Sequence, residues 1–207
     1  MLKRAMWVVV FLVFLFMGKA VLASDAQDQL KVSMDKLIAV LKDKSLKAPD
    51  KKEERRAKIF AILDERFDFE QMGKWALGAN WKGLSQQERD EFVKVFSELI
   101  KKSYILKIER YNNEKIEFKD ERTKGKYYYV YTDVISGGQP IPVNYSLYSK
   151  GDQWLVYDVV IEGVSLVKNY RTQFDEIMRK EKFAGLMDKL KKQVNDLESE
   201  MQKAPEA

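Results

Sequence analysis

The chain has 207 residues and a formal net charge of +5, and it contains neither histidine nor cysteine. Those two absences exclude a Cys/His zinc site, a Ser-His-Asp triad, a thiolate nucleophile and any disulfide, so a catalyst built on this sequence would have to use carboxylates, lysine or tyrosine. The length suits one domain with its own hydrophobic core.

The chain opens with Lys3 and Arg4, an uncharged apolar run from Ala5 to Met17, and the small-residue site Val21-Leu22-Ala23 before Ser24. That order reads as a secretory signal peptide over residues 1–23. Lys19 stops the run short of the roughly 20 apolar residues a membrane-spanning helix needs. No cysteine follows, which excludes lipid attachment at an N-terminal Cys. Cleavage removes Lys3, Arg4 and Lys19, so the mature domain is nearly balanced in charge. With export, that balance argues against a nucleic-acid partner.

In the mature region, Leu30, Met34, Leu37, Ile38 and Leu41 recur at helical spacing, predicting a helix over residues 26–43. A polar stretch containing Pro49 interrupts the pattern. It resumes with Ile59, Phe60, Ile62, Leu63 and Phe67, and an apolar run continues through Phe69, Met72 and Trp75 to a terminating Gly78. Ser85 and Glu88 have capping-box spacing and start a helix predicted over residues 86–109, striped by Phe92, Val95, Phe96, Leu99 and Ile100.

The period then changes to two. Strands are predicted over residues 115–120, 126–136, 141–149 and 154–162, with turns at Gly137-Gly138 and Lys150-Gly151-Asp152. Ser165 suits the N-cap of a further helix, and Phe183, Leu186, Met187, Leu190, Val194, Leu197 and Met201 mark a closing one. Helices, then strands, then helices describe an α+β domain: a twisted antiparallel four-stranded sheet packed against several helices. The expected organisation is a domain over residues 24–192 and a charged helical extension or tail over residues 193–207.

Four features bear on function. Phe67, Phe69, Met72, Trp75, Trp81, Phe92 and Phe96 concentrate large apolar side chains on the helices, which fits a ligand cavity or an ordinary core; periodicity does not separate the two. Asp158 and Glu162 fall on one face of the fourth strand, about 13 Å apart along it, too far for an inverting glycosidase pair. Capping of backbone groups, or pairing with Lys168 or Arg171, suits them better. Tyr127, Tyr128, Tyr129 and Tyr131 suit an interface or a β-strand. Lysine and arginine cluster at Lys51–Lys58, at Lys101-Lys102 and at Lys189–Lys192, as a solvated face or a contact for anionic headgroups.

The segment WLVYDVVIEGVSLVKNYRTQF, Trp154 to Phe174, resembles the MlaC family of periplasmic phospholipid-binding proteins. Phe67 to Tyr104, with its Leu-Gly-x-x-Trp turn, the strand pair around Gly137-Gly138 with Pro142-Val143-x-Tyr145, and FAGLMDKLKK, Phe183 to Lys192, match in the same order. The resemblance implies a monomeric periplasmic carrier that encloses acyl chains in an apolar pocket. It would exchange phospholipid between an outer-membrane lipoprotein complex and an inner-membrane ABC transporter complex, touching membranes only transiently, with no cofactor, metal or catalytic residue. Facing positions then nominate the lining: Phe69, Met72, Trp75, Phe92, Phe96 and Leu99 on helices, and Val130, Val134, Val143, Tyr145 and Leu147 on the sheet. Val164 and Leu166 are placed at the mouth. The rival readings are a periplasmic chaperone or binder of another apolar ligand, a carboxylate hydrolase, and an interaction protein with a solid core.

Overall fold

A computed structural model describes residues 26–203; the expected signal peptide lies outside them. Helix α1 spans Ala26–Lys42 and α2 spans Lys52–Arg66, with two short 3-10 turns between them. Helix α3, Phe69–Leu77, follows at once. It ends at Gly78, whose φ of 54° favours glycine and where a Cβ would strike the Arg171 guanidinium at 2.8 Å. Helix α4 spans Gln86–Glu109, and the Ser85/Glu88 capping box forms as its spacing predicts. Gly73 of α3 brings these two helices close: a Cβ there would lie 2.9 Å from the Phe92 ring.

The sheet is an antiparallel meander, β1 (Lys115–Lys124), β2 (Tyr127–Ser136), β3 (Gln139–Lys150), β4 (Gln153–Ile161) and β5 (Val164–Ser165), in that spatial order. It has five strands, not the expected four. The extra one is a two-residue return on which Val164 pairs with Ile161 and Ser165 with Val160. A strand that short has no period to read in a sequence. The positive φ of Glu162 and Gly163 turns the chain into it, which ends β4 one residue early and takes Glu162 off the strand.

Helix α5, Leu166–Lys203, closes the molecule and is broken once, at Lys182 (φ 61°, ψ −171°), between its two apolar stretches. Before the break it buries Leu166, Val167 and Phe174, and after it Leu186, Met187, Leu190, Val194 and Met201. The helix therefore remains packed beyond residue 192.

Three apolar clusters result. The largest joins α3, α4 and α5 around Phe92, Phe96, Phe174 and Leu186. The second packs Leu30 and Met34 of α1 against Tyr128, Val130, Leu147, Val156 and Val159 of the sheet. The third is small, holding Ile59, Ile105 and Met201 together.

Beside that third cluster lies a buried charge group. Glu109 accepts from Arg56 Nη2 at 2.9 Å, Arg56 Nε at 3.0 Å and Arg55 Nη2 at 3.0 Å. Arg56 also donates to the Met201 carbonyl at 3.5 Å, and Lys52 donates to the same carbonyl at 3.1 Å, which ties down the end of α5. Burial pushes the Glu109 carboxyl pKa up, but the hydrogen bonds and charges of Arg56 and Arg55 outweigh it and hold the group below its usual range. Glu109→Ala leaves Arg55 without its anion and the buried Arg56 with only Glu53 at 3.4 Å, so a loss of about 3–5 kcal/mol is expected. Urea unfolding of the purified variant measures it.

Candidate functional site

Where the three clusters meet, the packing is incomplete and leaves a half-open cavity of about 220 Å³. Leu30, Ser33, Met34 and Leu37 line it from α1, on one helical face. Helix α2 contributes Ile62, Leu63 and Arg66, and Phe67 follows. Phe69 and Met72 come from α3, and Ile100, Lys101, Tyr104 and Ile108 from α4. Val143, Tyr145, Val159 and Ile161 form the sheet wall, and Leu166 stands at the start of α5. The four sheet residues are two cross-strand pairs, Val143↔Ile161 and Tyr145↔Val159, so their side chains share one face. Thr132 holds this part of β3 from the neighbouring strand: its hydroxyl donates to the Val143 carbonyl, and its N–H donates to Asn144 Oδ1 at 3.2 Å.

The few polar groups of the wall are mostly engaged. Arg66 donates to Ser33 Oγ at 2.8 Å, to Gln29 Oε1 at 3.1 Å and to the Trp154 carbonyl at 2.6 Å. Burial lowers the Arg66 pKa. Lys101 pairs with Asp64 at 2.9 Å, and its ammonium lies 5.5 Å from the Phe69 ring centroid and 5.6 Å from that of Phe60.

Two tyrosines are the exceptions: neither the Tyr145 nor the Tyr104 hydroxyl makes a hydrogen bond among the described residues, and burial pushes both pKa values up, that of Tyr145 to about 12.

Of the residues nominated from sequence, Phe69, Met72, Val143, Tyr145 and Leu166 stand in this wall. Phe92, Phe96 and Leu99 lie outside it, fully buried in the solid core. The rings of Phe92 and Phe96 stack at 5.4 Å, and Phe174 meets each of them at 5.8 Å. Val130 and Leu147 are fully buried in the cluster under α1. Trp75 is 38% exposed and packs on Tyr157 and Tyr127, while Val134 is half-buried opposite Ile116 and Ile141. Val164, placed at the mouth from sequence, is 60% exposed on β5. The apolar stripe of α4 spans both environments, and only the neighbouring elements decide which part meets solid packing. The faces of α1 and α2 were legible as apolar, but nothing in their spacing distinguished cavity wall from core. Arg66 and Tyr104 carry no signal as wall residues, and Lys101 reads from sequence only as part of a basic surface cluster.

Asp158 and Glu162 do not form a carboxylate pair. Glu162 is exposed in the turn, whereas Asp158 accepts from Ser165 Oγ at 2.6 Å and from the Val167 N–H at 3.0 Å. Asp158 thus caps the entry to α5, although its burial raises the carboxyl pKa. The basic clusters are largely matched by carboxylates, including Lys51 and Lys58 with Glu54, Lys102 with Glu198, Lys189 with Glu181 and Lys191 with Glu91. No helix among the described residues is long and apolar enough to cross a membrane.

The molecule is therefore an α+β domain in which an antiparallel sheet and helices line a small, half-open apolar cavity. It belongs to the MlaC protein family, whose pattern its sequence matches over residues 31–192. The intermembrane phospholipid transport system binding protein MlaC of Haemophilus influenzae is 29% identical over 129 residues. That match covers 59% of this chain and 60% of the relative's length. A solved Ralstonia solanacearum structure, a phospholipid-binding protein in complex with a phospholipid, shares the fold with a TM-score of 0.75 and 24% identity. That likeness covers 84% of this chain and 99% of the other.

Asp68 supplies a pH test of how the cavity wall is held. Its carboxylate accepts from the Gln71 N–H at 2.8 Å, from Lys150 at 3.1 Å and from the Tyr148 hydroxyl. Burial pushes its pKa up, but these bonds prevail and lower it. A carboxylate whose folded pKa is depressed stabilises the fold above its unfolded pKa of about 4, and that stability is lost as pH falls through the folded value. Asp68→Asn should flatten the acid limb of a melting-temperature profile below about pH 4.

Proposed function

We propose that this protein is a periplasmic phospholipid carrier, holding acyl carbons in the cavity between its sheet and helices. The observation that carries this reading is an almost wholly apolar void at the junction of three clusters, in a chain of the MlaC family. Its role is to exchange lipid between an outer-membrane lipoprotein complex and an inner-membrane ABC transporter complex, as a monomer without cofactor or catalysis. The phospholipid named with the Haemophilus and Ralstonia relatives supports the choice of cargo.

Elementary energetics explain why such a carrier needs a dry cavity. Exposing one buried CH₂ to water costs about 0.8 kcal/mol, so an acyl chain of ordinary length costs on the order of 10 kcal/mol. An apolar cavity of about 150 Å³ takes one benzene, so a cavity of 220 Å³ holds on the order of ten carbons at that density. Two full acyl chains exceed this, and loading requires the wall to give. Helices α1 and α2 are the candidates to move, because they meet the sheet mainly along β4.

Protein purified without detergent should carry extractable phospholipid in near-stoichiometric amount by mass spectrometry. Val143→Trp, which fills the cavity from the sheet side, should lower that amount at least tenfold while the protein stays folded by circular dichroism. A lipid-free wild-type protein that also fails to take up labelled phospholipid from vesicles overturns the carrier reading.

A further inference from the structure

On the sheet side of the cavity wall, the Tyr145 hydroxyl is the polar group whose partner the described residues do not supply. Tyr145 sits mid-strand on β3, fixed between Val130 of β2 and Val159 of β4. The Thr132 bonds to Val143 and Asn144 hold the adjacent backbone, so the ring is set by the ladder on both sides. Around it the sheet wall is Val143, Val159 and Ile161, with no donor or acceptor side chain. Buried polar groups in folded proteins nearly always have a partner, and one left open in a cavity wall marks where a ligand atom belongs.

The surroundings decide which atom. A charged phosphate oxygen placed against this wall would be desolvated with no cation beside it on the sheet. Arg66 is held by Ser33, Gln29 and Trp154, and Lys101 is paired with Asp64. A neutral acceptor that has no proton of its own suits a lone phenolic donor in an apolar wall. In a diacyl lipid that atom is the ester carbonyl, which also marks where the hydrocarbon begins.

Resting on the carrier reading above, we infer that Tyr145 donates a hydrogen bond to an acyl-ester carbonyl of the cargo and so makes the cavity selective for ester-linked over ether-linked lipid. The residue fixes how deep the chains enter, because the carbonyl must stop at the hydroxyl.

The test crosses one protein change with one ligand change. Wild type and Tyr145→Phe are each offered vesicles of diacyl phospholipid or of the dialkyl ether analogue with the same headgroup and chain lengths. Wild type should take up the diacyl lipid about fivefold more tightly, the value of one neutral hydrogen bond, and Tyr145→Phe should show no preference. Lipid-free Tyr145→Phe should melt at or above the wild-type temperature, because it loses an unpartnered hydroxyl and no contact. A drop in its melting temperature would show that the hydroxyl serves the fold and overturn the inference. Equal wild-type uptake of the two lipids, a reading independent of the variant's folding, would overturn it while leaving the carrier intact. Uptake of neither lipid by folded wild type counts against the carrier itself.

Discussion

Three consecutive residues, Arg66, Phe67 and Asp68, join the helical layer to the sheet, and the cavity exists because of how they do it. The Arg66 guanidinium reaches across to the Trp154 carbonyl at the start of β4. Phe67 bridges to Val156, and the Asp68 N–H donates to the Val156 carbonyl at 2.9 Å. Asp68 then caps α3 and accepts from Tyr148 and Lys150 of β3. Each buried polar group of this segment is paired, so its position is over-determined. Phe67 packs against both the α3–α4–α5 cluster and the sheet cluster, so the two cannot close on each other without displacing it.

That constraint accounts for the solid and hollow parts of one core. On the side of α5, aromatic rings interlock: Phe92, Phe96 and Phe174 meet one another, and Tyr170 meets Phe96 and Phe174, at 5.4–5.8 Å. On the side of α1 and α2, Leu30, Met34, Leu37, Ile62 and Leu63 face the sheet across the space that Phe67 and Arg66 prop open. An apolar cavity carries a stability cost that rises with its volume. The buried Arg55–Arg56–Glu109 group ties α2 to α4, and Met201 at the end of α5 packs with Ile59 and Ile105 of the same two helices. Loading the cavity with hydrocarbon would restore the contacts that its lining lacks.

The candidate site needs little chemistry. Its wall holds two cations tied to other groups, and Asp158, the carboxylate most suggestive of catalysis, is used up in capping α5. On the sheet side of the wall stands one tyrosine hydroxyl with no partner among the described residues, on a strand whose neighbours hold it from both sides.

Much of the architecture was legible in the residues. Helical periodicity placed α1, α2 and α4, the Ser85/Glu88 spacing placed a cap, Gly78 a helix end, and the period-two runs the meander, because each is a local preference written over a few residues. Missing His and Cys narrowed the chemistry before any fold was known. The two-residue β5 and the positive φ of Glu162 were not legible, because they depend on β4 being there to pair with. Nor could spacing divide the stripe of α4 into Phe92 and Phe96, locked in solid core, and Ile100 and Tyr104, facing a void. Periodicity determines which face of an element avoids water. Whether that face meets another side chain or an empty space is decided only when Arg66, Phe67 and Asp68 fix the distance between the layers.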